Sequence, residues 1–103
     1  MAKNEAPVKV GRKVWVICGS SIIRLPVIAV GEGVAVLMRH GIFGDTLYIG
    51  FEFNDFGKTW FTRISDAKKA YKEHPTYVTP KADKITFTKV DNNTYSIRAI
   101  TKL

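Results

Sequence analysis

Cysteine is almost absent from this chain, which has 103 residues and a single one, Cys18. A lone cysteine cannot close an intramolecular disulfide, and small secreted domains usually carry several paired ones, so the expected compartment is a reducing cytoplasm. Histidine is nearly as scarce, with His40 and His74 only. A zinc site needs several Cys or His at short spacings, and three such residues spread from position 18 to position 74 exclude one. Nucleophilic catalysis needs a base within reach of a Ser, Cys or Thr, and neither histidine sits in a motif of that kind. Cys18 lies in an apolar strand, where a buried, inert thiol is expected. His74 ends a helix, where an imidazole faces the carbonyl end.

Other chemistries fall away in the same manner. The acidic residues are dispersed, with no Asp-x-Asp cluster for Ca²⁺ or Mg²⁺ and no carboxylate pair for glycoside chemistry. Gly31-x-Gly33 lacks the third glycine and the following helix of a dinucleotide fingerprint. No window approaches the ~20 apolar residues that span a bilayer, and Met1 to Pro7 holds no apolar segment behind its lysine. The expectation is therefore a non-enzymatic protein without metal, cofactor or membrane segment.

What the chain does have is positive charge and strand-forming residues. Sixteen Lys and Arg against nine Asp and Glu leave a formal charge of +7, and the isoelectric point is near 9.7. Such an excess serves solubility, and it also makes nucleic acid or another acidic surface a candidate partner. A hydrophobic content of 46% suffices for one core in a chain of this length. One domain is expected, with a flexible arm over 1–11, a barrel plus helix over 12–73 and a terminal hairpin over 83–103.

Strand signals follow one another closely. Lys13–Cys18 is β-branched and aromatic and ends at Gly19-Ser20-Ser21. Ile22–Val30 is similar, but Pro26 cannot donate a ladder hydrogen bond, so the segment belongs on an edge or beside a bulge. Gly31-Glu32-Gly33 turns it into Val34–Arg39 as a hairpin. After a glycine-bearing loop comes Leu47–Phe53, where Gly50 suggests a bulge or a bend. Asn54-Asp55-Phe56-Gly57 is turn chemistry and precedes a short strand, Lys58–Phe61.

One helix is expected over 66–73, with Ser65 as N-cap and Asp66 at the positive end of its dipole. Ala67, Ala70 and Tyr71 form a narrow apolar stripe, which predicts a lid lying on the barrel with Lys68, Lys69 and Lys72 toward solvent. A connector over 76–82 leads to Lys84–Val90 and Thr94–Thr101, joined by Asp91-Asn92-Asn93 as a closing hairpin. The fold class is mainly β with a minor α component: a small, bent antiparallel SH3-like barrel, or failing that an OB-like one, with one short helix and a C-terminal β-hairpin.

With no chemistry to assign, function rests on surface. Barrel closure is expected to bring Lys58, Arg63, Lys68, Lys69 and Lys72 to one side, where phosphates are met. Phe51 and Phe53 share a strand face with Ile49 and belong to the core, which leaves Phe56, at a turn tip, as the exposed aromatic available to a base or a partner.

The stretch Asn54-Asp55-Phe56-Gly57-Lys58-Thr59-Trp60-Phe61-Thr62-Arg63-Ile64-Ser65-Asp66-Ala67 resembles a pattern of small uncharacterised proteins of bacteriophages and mobile elements of Gram-positive bacteria. These carry a barrel-like N-terminus, a D-F-G-K-T-x-F-x-T-R strand and a short helix with an acidic start. The likeness is good over 54–67 and loose over 10–73, and this chain departs from it at Ile64-Ser65-Asp66 and in its terminal hairpin. It implies an accessory protein in the cytoplasm of a bacterial host and no particular activity. Two functions are expected on this basis: a binding module for nucleic acid or a nucleic-acid-handling complex, or a protein that modulates a host factor by direct contact, of the anti-defence type.

Overall fold

The computed structural model describes residues 6–41, 43–74 and 84–100; residues 1–5 of the arm expected over 1–11 and the connector expected over 76–82 lie outside it, while Val8 of that arm is buried in the core. Seven strands and one helix follow in order: β1 Lys13–Cys18, β2 Ser21–Val30, β3 Val34–His40, β4 Thr46–Glu52, a 3-10 turn Phe53–Asp55, β5 Trp60–Phe61, α1 Ile64–Glu73, β6 Lys84–Asp91 and β7 Thr94–Ile100. The protein is mainly antiparallel β sheet with one short helix. Five strands run in the order β4-β3-β2-β1-β5, and the β6–β7 hairpin joins through β7 to β2.

The sheet is open, so the expected barrel does not close. Within the link from β4 to β5 an isolated parallel bridge joins Phe56 to Trp60, and between the two ends of the sheet the Trp60 indole nitrogen donates a hydrogen bond of 2.9 Å to the Glu52 carbonyl oxygen. The strand expected over 58–61 shrinks to two residues, because the 3-10 turn and the turn through Gly57 use the intervening chain. Lys58 N donates to Asp55 O at 2.9 Å there, and Gly57 has φ of +88°, which a residue with a side chain adopts only under strain.

Strand β2 is central and not an edge. It pairs with β1 along one side; on the other, Ser21–Ile23 pair with β7 and Val27–Val30 with β3, with a register shift between Val27 and Ala29. The bulge expected from Pro26 is present, and alternation along the strand shows how a central strand accepts a proline. Arg24 N donates outward to Asn93 O at 2.8 Å, and Val27 N donates the opposite way to Arg12 O at 2.9 Å. Pro26 therefore directs its nitrogen to the side Arg24 uses, into the interval where β7 has ended and β3 has not begun. No ladder bond is lost. Gly50, by contrast, sits in regular register opposite Val36 with no bulge; a Cβ there would meet Val34 Cγ1 at 3.3 Å, so close packing accounts for the glycine.

Two cores lie on opposite faces of β1. Val14 and Val16 pack with Val8, Leu25, Val27, Ala35, Leu37 and Trp60 inside the curled five-stranded part, with Phe51, Phe53 and Phe56 against them. Trp15 turns the other way and packs with Ile22, Phe61, Ala67, Tyr71 and Ile97. The unbroken apolar run Val14-Trp15-Val16-Ile17 thus reads as a strand covered on both faces.

The helix is consequently a wall of the second core and more than a lid, since Ala67 and Tyr71 are fully buried. It also begins two residues early. Arg63 is the N-cap, with no side-chain capping bond, and Ser65 falls inside the first turn. Ile64 packs against the second core, and that apolar contact sets the start in place of the serine cap.

Candidate functional site

The faces of β1, β2, β6 and β7 that meet helix α1 carry cations and rings in alternation. Ile22 pairs with Tyr95, and Trp15 pairs with Arg24. Directly opposed residues share a face of a sheet, so these four side chains stand together. On the hairpin, Phe87 opposes Ile97 and Lys89 opposes Tyr95, which adds Phe87 and Lys89 to the same face. Helix α1 crosses above them and supplies Lys68 and Lys72, one turn apart on one flank.

The contacts form a continuous series. The Arg24 guanidinium lies 5.7 Å from the Trp15 ring centroid, and Trp15 meets Tyr95 edge-to-face at 5.4 Å. The Lys68 ammonium stands 4.5 Å from the Tyr95 centroid and 5.7 Å from that of Phe87. Lys72 reaches the same Phe87 ring at 5.7 Å, and Tyr71 supports that ring from beneath at 6.2 Å, edge-on. Trp15 is buried, Tyr95, Phe87 and Lys68 are half-buried, and Arg24, Lys72 and Lys89 are exposed. Each ammonium is held by the negative face of a ring, which positions it without neutralising it.

The basic residues expected to cluster are divided by the helix. Lys68 and Lys72 face the hairpin. Lys69 shares a shallow depression on the opposite side with Gly57, Asp66, Ala70 and Glu73, and so has two carboxylates in its surroundings. Lys58 lies nearby with Ile17, Thr59, Ala70 and His74, and Arg63 is exposed at the helix N-terminus. Helical geometry separates Lys68 from Lys69 by about 100° of rotation, and the apolar stripe decides which flank each one takes.

Phe56 is not the free aromatic expected. It is half-buried against the first core and packs edge-on to Trp60 at 5.0 Å. Among the described residues the exposed rings are Phe43, 95% accessible, and Tyr48, 64% accessible. Cys18 also departs from expectation: it ends β1 exposed, and its sulfur accepts a hydrogen bond of 3.2 Å from Arg39 Nη1. Arg24 and Lys89 become members of the cationic face only through strand register.

No helix among the described residues is long and apolar enough to cross a membrane. Compared with protein-family models, with curated proteins and with solved structures, the chain matches none.

Proposed function

We propose that the chain is a non-enzymatic binding module that engages nucleic acid, directly or within a nucleic-acid-handling complex, through the cationic face between helix α1 and the β6–β7 hairpin. One observation carries the reading: Arg24, Lys68, Lys72 and Lys89 share a face interleaved with Trp15, Tyr95 and Phe87. Ammonium and guanidinium groups spaced along a surface meet successive phosphates, and the net charge of +7 draws a polyanion toward it. The setting that goes with this proposal is an accessory protein of a phage or mobile element, working in the cytoplasm of a bacterial host. The order β4-β3-β2-β1-β5, with a 3-10 turn before the last strand, supports reading the first five strands as an incompletely closed SH3-like unit.

Fluorescence anisotropy of labelled DNA and RNA tests it. Binding at low salt should weaken as salt rises, with a logarithmic slope of about 0.7 to 0.9 per phosphate contact. If neither DNA nor RNA binds at about 50 mM salt, the reading fails.

A second reading, contact with a host protein, is favoured by strand β4. It ends the sheet order, Glu52 is its single charged residue, exposed Leu47 and Tyr48 lie within it, and exposed Phe43 precedes it. A free edge with a single charge at its end accepts a strand from a partner sheet. Capture of a host protein that survives nuclease treatment and is lost on Leu47→Lys would favour this reading over the first.

A further inference from the structure

Lys68 and Lys72 rest on the rings of Tyr95 and Phe87, both of which are half-buried. Attraction of an ammonium to a ring is modest and sequence-independent, whereas a phosphate oxygen offers a full opposite charge. A lysine stem is long and flexible, so the head can leave the ring for a phosphate without disturbing the helix. What it then uncovers is the face of an aromatic ring.

Building on the nucleic-acid reading above, we propose that this face takes single-stranded nucleic acid, with Lys68, Lys72, Arg24 and Lys89 on phosphates and with bases stacked on Tyr95 and Phe87. The two rings sit diagonally across the β6–β7 pair, because Phe87 opposes Ile97 and Tyr95 opposes Lys89. Diagonal positions on one sheet face are about 7 Å apart, which leaves room for a base on each ring when the strand is stretched. A duplex keeps its bases paired and stacked on one another, so it could use the cations but not the rings. The nearest hairpin carboxylate is engaged in the turn, where Asp91 Oδ1 accepts from Asn93 N at 2.7 Å. Asp66 and Glu73 lie on the other flank of the helix with Lys69.

The discriminating ligands are a labelled oligothymidylate of about 20 nucleotides, longer than the ~4–16 that a small binding fold covers, its oligouridylate counterpart, an abasic strand and a duplex of equal length. The expected result is that the oligothymidylate or the oligouridylate binds about fivefold or more tighter than both the abasic strand and the duplex; whichever is tighter identifies DNA or RNA as the source. Tyr95→Leu and Phe87→Leu should each weaken single-strand binding by about fivefold and leave the duplex unchanged, while Tyr95→Phe retains affinity. The abasic comparison uses the unaltered protein, so it decides the matter even if a leucine variant fails to fold. Equal affinity for abasic and base-bearing strands, or for duplex and single strand, overturns the stacking proposal and leaves the nucleic-acid reading standing; absence of all binding overturns both.

Discussion

Lys68 and Tyr95 come from different elements, helix α1 and strand β7, yet the ammonium nitrogen stands 4.5 Å from the phenol ring centroid. Lys69, its neighbour in sequence, lies among Asp66, Ala70 and Glu73 on the other side of the helix. The two lysines should therefore behave differently. The double variant Lys68→Glu with Lys72→Glu is expected to lower the salt slope of nucleic-acid binding by about 1.5 to 2, and Lys69→Glu by much less than 1. Equal effects of the three lysines would argue that the partner does not dock on the hairpin side.

The Tyr71 side chain is fully buried, and its hydroxyl finds no hydrogen-bond partner among the described residues. An unsatisfied buried hydroxyl costs about 1–3 kcal/mol, so Tyr71→Phe should leave stability unchanged or raise it by about 1 kcal/mol. Tyr71→Ala removes a wall of the second core and should cost about 3–5 kcal/mol. Urea unfolding midpoints measure both, and a strongly destabilised Tyr71→Phe protein would show that the hydroxyl does have a partner.

Trp60 closes the first core from β5 and is fully buried, with its indole N–H on the Glu52 carbonyl. Trp60→Phe keeps most of the apolar contact and leaves that carbonyl unpaired, an expected loss of about 1–2 kcal/mol. Trp60→Ala should cost about 3–5 kcal/mol and prevent folding at moderate temperature. Thermal unfolding by circular dichroism distinguishes the two, and similar melting temperatures for both variants would contradict the packing described.

Cys18 ends β1 with its thiol exposed. The native protein should be alkylated completely by iodoacetamide without denaturant, within a small factor of the rate in urea. Protection by orders of magnitude in the native state would place the thiol inside, as its apolar neighbours in sequence suggest.

Much of the fold was legible because it rests on local chemistry. β-branched runs punctuated by Gly33, Gly57 and Asn92-Asn93 mark strands and turns, and β1 begins and ends where the sequence indicates. Asp66 does open the helix electrostatically. Pro26 announced an edge or a bulge, since a missing N–H must fall where no ladder bond is needed, and of the two the bulge is present.

Other features depended on which elements meet. Whether β2 is an edge, whether the helix lies outside the core and whether Phe56 is free all turn on contacts between residues far apart in the chain. Ile64 illustrates this, since packing against the second core outweighs the capping preference of Ser65. Composition alone determined the charge excess, the scarcity of Cys and His, and a β-rich domain. Only the tertiary structure decided that Arg24, Lys68, Lys72 and Lys89 share a face with three aromatic rings, because strand register and the rotation of one helix assign each side chain to its side.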